Sequence, residues 1–205
     1  MSAGDDFDRA RELLAAQEFA KAESVFRAIL DRDGAHAGAL KGLAALLAVT
    51  GRADEAAVLL RTRLRQEPGD DAALRALGMA LCRKAGMQTD PHAKAECFAA
   101  AAETLGKAVE RAGWDAETAA GLAAAQAGRG LRGEALHTLS EALAHVLEPP
   151  AARLRLYGEA LLFQAMWDMP AEAARTVGLM RHEATNDTDA RSEERRVGKE
   201  CRSRW

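Results

Sequence analysis

The chain is expected to fold as an all-α stack of about five antiparallel helix pairs, and three observations predict this. Ala22, Ala56 and Ala135 occupy equivalent places in a recurring pattern, and the first interval is 34 residues. Their neighbours recur with them, as Glu18-Phe19-Ala20-Lys21, Gly51-Arg52-Ala53-Asp54-Glu55 and Gly130-Leu131-Arg132-Gly133-Glu134. A self-similar period of this length marks a stacked repeat instead of one closed core. Composition agrees: alanine is abundant, aromatic residues make up 4%, and valine, isoleucine and threonine are sparse. Small helix formers favour close helix–helix approach and leave little material for strands.

The first helix is expected to start at Asp5 or Asp6, either of which can cap free backbone N–H groups. Ala10, Leu13 and Leu14 share its apolar face, and the chain turns near Gln17. A second helix carries Ala22, Val25, Phe26, Ile29 and Leu30 at the spacing of an amphipathic helix, and Asp33-Gly34 ends it. In the next unit Leu40, Leu43, Ala44 and Leu47 form one stripe, Gly51 makes the turn, and Ala56, Leu59, Leu60 and Leu64 line the partner. That helix stops before Pro68, which cannot continue a helix and pushes Glu67 out of helical geometry.

The third unit opens with Leu74, Leu77-Gly78 and Leu81. Counting back from the fourth puts its small residue at Ala101, followed by Leu105 and Ala108, which makes the unit 45 residues. A lengthened helix starting at Asp90-Pro91, with aspartate as cap and proline in the first turn, absorbs the extra length. The fourth unit carries Leu122-Ala123, Gly130, Ala135, Leu139 and Ala142. A fifth, irregular pair has Leu154, Tyr157, Gly158 and Leu161 in its first helix and Ala173, Val177 and Met180 in its second. Its turn, Asp168-Met169-Pro170, lacks glycine. Isolated short hairpins cannot bury their stripes, so stability comes from neighbour covering neighbour. Ala44 and Gly78 mark places of close helix approach.

Together these residues resemble the tetratricopeptide repeat, a 34-residue antiparallel helix pair. Leu40, Leu43-Ala44, Leu47, Ala56, Leu60 and Pro68 match its signature, as do Ala10, Leu13, Ala22, Phe26 and Ile29 in the first unit. Arg63 stands where a small residue is usual, and Gly34 where proline is commonest. The resemblance implies a right-handed α-solenoid over residues 5–184, in units of about 3–36, 37–70, 71–115, 116–149 and 150–184. It also implies a concave groove lined by the first helix of each unit. Aligned positions put Phe7, Arg11, Lys41, Arg75, Met79 and Arg83 on that face. Basic residues beside apolar ones in an acidic protein suit a protein or peptide partner carrying carboxylates. The competing reading is that these are ordinary solvated charges between helices. Family members that clamp a C-terminal carboxylate also use asparagines in these helices; Ala45 and Met79 stand there instead, so that activity is not carried over.

The remaining features bound the function. Net charge is −3, and setting aside the basic residues 191–205 leaves −6, which argues against non-specific nucleic-acid binding. The five histidines show no HExxH pattern, and the three cysteines form no CxxC pair. The glycine-rich stretch 128–133 follows a helix and no strand, so it reads as a turn and no phosphate loop. No catalytic pair, metal or cofactor is expected. With no signal peptide or membrane span, and cysteines that read as small hydrophobes, a reducing cytoplasmic setting is expected.

The leading expectation is a non-catalytic scaffold that binds a protein or peptide. The alternative is the N-terminal repeat region of a truncated larger enzyme, such as a glycosyltransferase or other transferase. A third reading is a structural subunit of a secretion or envelope assembly. Self-association is expected through Leu161, Leu162, Val177 and Met180 if nothing caps the last pair. Residues 185–205 read as a disordered tail. Within it, 191–205 resemble translated adapter or vector sequence; a natural terminus and a basic recognition tail are the competing readings.

Overall fold

The computed structural model describes residues 3–34, 36–146 and 150–185. Among these, every regular element is an α-helix. They run α1 (Ala3–Ala15), α2 (Phe19–Arg32), α3 (Ala37–Val49), α4 (Ala53–Gln66), α5 (Asp71–Met87), α6 (Pro91–Ala112), α7 (Ala116–Gly128), α8 (Arg132–His145) and α9 (Pro150–Met166), with α10 over 170–185. Successive helices pack together, and the first helices α1, α3, α5, α7 and α9 also touch one another in a row. No described helix is long and apolar enough to cross a membrane.

The repeat is visible in single hydrogen bonds. Glu18 N–H donates to Leu13 O, Arg52 to Leu47 O, Leu131 to Gln126 O and Met169 to Gln164 O, at 2.7–3.0 Å. Each bond closes a turn through one residue of positive φ: Gln17 (59°), Gly51 (84°), Gly130 (79°) and Asp168 (53°). This is the left-handed helix exit that glycine adopts most easily. The first and fifth pairs make it without glycine, which is why their turns are hard to see in the sequence. Behind the turns, Ala22, Ala56, Ala101 and Ala135 are each 0% exposed, so any larger side chain there would push two helices apart.

The third pair is the enlarged one. The side chain of Asp90 accepts from the backbone N–H of His92 and Ala93, and Pro91 follows as the first residue of the 22-residue α6. The extension therefore begins where cap and proline chemistry predicted. Deeper in this pair, Leu105 is 0% exposed and sits on Gly78, where a Cβ would come within 2.4 Å of Leu105 Cγ. The core divides into two clusters, one spanning Ala10 to Ala125 and one spanning Ala116 to Phe163, and both draw on α7.

Two local expectations need correction. Helix α1 starts at Ala3, so Asp5 and Asp6 lie inside its first turn and neither caps it. There they still complement the helix dipole, and Asp6 also pairs with Arg32 of α2. In the fifth pair, Gln164 takes the place that Leu47 holds in the second pair, where the sequence pattern put Leu161. The buried face of α9 is accordingly Leu156, Tyr157, Ala160, Phe163 and Gln164, with Gly158 exposed. A shift of nearly one helical turn leaves the apolar stripe looking similar, so the pattern alone does not fix the register. Glu148, Pro149 and the stretch 186–205 lie outside the described residues.

Charged residues stitch the pairs together. Arg63, the departure from the repeat signature, is buried and donates to Asp70 at 3.0 Å and to Glu67. Asp70 in turn caps α5 by accepting from Ala73 N–H, so one guanidinium joins the end of α4 to the start of α5. Arg153 does similar work later. It donates to the carbonyls of Leu143 and Val146 at the end of α8 and clasps Glu183 at 2.7 Å. Glu23 of α2 accepts from Arg27 at 2.7 Å and from Arg52, in the turn of the next pair, at 2.8 Å.

Those bonds hold the Glu23 carboxyl below the ordinary glutamate value of 4.5. The folded state binds its proton less readily than the unfolded chain, so Glu23 stabilises the fold above that pH and stops doing so as acid protonates it. Urea titrations from pH 7 to 3 should show stability falling below the ordinary glutamate value. Glu23→Gln should flatten that acid limb; an unchanged slope would dismiss the contribution.

Candidate functional site

The first helices of the second, third and fourth pairs converge on a cavity of about 260 Å³. Its floor is small and apolar, made by Ala44, Ala45 and Ala48 of α3 and by Ala76 and Ala80 of α5. Small floor residues follow from the repeat, because helices that nest closely must present small side chains at their crossing. Met79 forms part of the wall. Its sulfur packs against Gly121 of α7, where a Cβ would come within 2.5 Å of it. The volume lies below the roughly 300–1,000 Å³ usual for small-molecule and cofactor sites and fits one or two side chains.

Charge lines the rim from three helices. Lys41 of α3 reaches Glu117 of α7 at 2.6 Å, spanning α5 between them. Arg75 of α5 lies 3.5 Å from Asp115, the cap of α7. Asp115 is already committed, since its carboxylate accepts from Thr118 N–H at 2.9 Å and from the Thr118 hydroxyl at 2.5 Å. Arg83 differs from both. It donates to the Ala45 carbonyl at 3.4 Å, and among the described residues no carboxylate pairs with it.

The structure thus gathers Lys41, Arg75, Met79 and Arg83 around one cavity. Phe7 and Arg11 are not among its lining residues. The Phe7 ring packs against Phe26 and His36, with centroids 6.2 and 5.3 Å away, and covers Gly38. Arg11 is exposed and pairs loosely with Asp8 at 3.8 Å. Sequence reasoning missed Asp115 and Glu117, which compensate two of the cations. Asp115 was legible as a helix cap, but the crossing of Lys41 over α5 to Glu117 depends on how three pairs stack.

Cys82, half-buried behind the groove, has its thiol pushed up to about 12 by burial, and its Sγ points at the Gly121 carbonyl, 3.5 Å away. A thiol held protonated is a poor nucleophile.

A family model for the tetratricopeptide repeat matches residues 13–82. No curated protein matches the chain at a significant level. Among solved structures, TTC0263, a thermophilic tetratricopeptide-repeat protein of Thermus thermophilus, is similar at 18% identity and a TM-score of 0.74, covering 94% of this chain and 96% of that one. MamA from Desulfovibrio magneticus RS-1 is similar at 15% identity and a TM-score of 0.63, covering 90% and 96%. YrrB, described as a tetratricopeptide-repeat protein with an unusual peptide-binding site, is similar at 18% identity and a TM-score of 0.55, covering 95% and 92%. Identities this low speak to architecture alone, and on that ground the chain has the all-α fold of a tetratricopeptide-repeat solenoid.

Proposed function

We propose that this chain is a non-catalytic scaffold that holds a segment of a partner protein in the groove of α3, α5 and α7. The observation that carries this reading is the pairing of an apolar floor with an Arg83 guanidinium that meets no carboxylate among the described residues. A side chain entering the cavity would cover Ala44, Ala48, Ala76 and Ala80, and a neighbouring carboxylate would complete Arg83 through charge-assisted hydrogen bonds. Arg75 and Lys41 reinforce an acidic ligand only by exchanging Asp115 and Glu117 for it, so Arg83 dominates. The peptide-binding site named for YrrB supports reading the fold as a holder of peptides.

Phage-displayed random dodecapeptides selected on the full chain test this. Retained peptides should be rich in Asp or Glu, and the double variant Arg75→Glu, Arg83→Glu should abolish their binding while helicity by circular dichroism stays intact. Equal retention by the double variant, or no peptide retained by the parent chain, would defeat the proposal.

A further inference from the structure

The groove does not stop at Arg83. On α3 the lining residues Lys41 and Ala45 are four apart, and the next residue in that row is Val49. On α5 the row Arg75, Met79 and Arg83 continues to Met87. Residues four apart share a helix face, so Val49 and Met87 extend the two walls by one turn each. Both are large apolar side chains left open to water, at 61% and 55% exposure. They close on the same corner: the Met87 methyl lies 3.5 Å from where a Cβ of Gly51 would sit, two residues past Val49.

We propose that the partner segment binds this end of the groove in an extended form, with an acidic residue on Arg83 and a large apolar residue two positions away seated on Val49 and Met87. The spacing follows from the two geometries. Arg83 and Met87 are four helical residues apart, about 6 Å along the axis. An extended peptide covers about that distance in two residues, and side chains two apart face the same way. Charge complementarity selects the occupant, since among the described residues no carboxylate pairs with Arg83 and the apolar pair adjoins it. The inference rests on the groove reading above.

The same dodecapeptide selection tests it. Enriched sequences should pair Asp or Glu with Leu, Ile, Met or Phe two positions away. Val49→Asp with Met87→Asp should weaken those peptides by about tenfold or more, the order expected when a buried apolar contact is lost, and Met87→Leu should retain them. If the aspartate pair lowers helicity, Val49→Gln with Met87→Gln reads the same loss without added charge. Peptides that need Arg83 but show no such spacing, or that ignore Val49 and Met87, would overturn this inference and leave the groove standing. A selection with no dependence on Arg83 would overturn both.

Discussion

Replacing Leu105 by alanine is expected to cost about 2–5 kcal/mol of unfolding free energy, the range for emptying a fully buried leucine site. For a chain of this size that corresponds to a Tm lower by about 5–15 °C. Leu105 is 0% exposed and sits on two glycines, with Gly78 of α5 on one side and Gly121 of α7 on the other. It lies next to the helix from which both core clusters draw. In a linear stack, stability is a sum of neighbour interfaces, so weakening this one should also loosen the coupling between the two halves. Thermal melts of Leu105→Ala should broaden or separate into two steps. A reciprocal check uses Gly78→Ala, whose new methyl would meet Leu105 Cγ at 2.4 Å. Alone it should destabilise by about 1–3 kcal/mol through overpacking, and in the Leu105→Ala background that penalty should vanish. Additive effects in the double mutant would contradict the packing of Leu105 on Gly78.

Phe26→Ala should be comparably severe, at about 3–5 kcal/mol, but its consequences should be confined to one end. The ring is fully buried, meets Phe7 of α1 at 6.2 Å, and lies under Gly42 of α3, where a Cβ would come within 2.5 Å of it. It is a fully buried side chain that holds the first pair to the second. Hydrogen exchange should therefore show loss of protection across residues 3–32 while α5 to α8 keep theirs. Protection lost evenly along the chain would mean that the stack unfolds as one unit and that Phe26 is no local anchor.

Both predictions turn on glycines whose role is spatial. Gly42 and Gly78 have ordinary helical backbone, so neither is there for a turn. Each leaves a notch into which one large side chain fits. The sequence marks Gly78 as a place of close approach because it falls at the small position of the repeat. It does not reveal that Leu105, 27 residues away, fills the space.

The repeat is legible in the residues alone: helix pairs, their turns at Gly51 and Gly130, the buried alanines, and the capped start of α6 at Asp90-Pro91. These are local properties, since periodicity, cap chemistry and the conformational freedom of glycine act within a few residues of one another. The same locality explains the failures. With Asp168 standing where the repeat usually has glycine, nothing local fixes the fifth pair, and the apolar pattern places its first helix nearly one turn away. The chemistry of the groove depends instead on contacts between distant helices. Lys41 with Glu117 and Arg75 with Asp115 are separated by 76 and 40 residues, and whether a cation is satisfied depends on which helices the stack brings within a few ångströms. That geometry leaves Arg83, among the described residues, as the guanidinium in the groove with no carboxylate beside it.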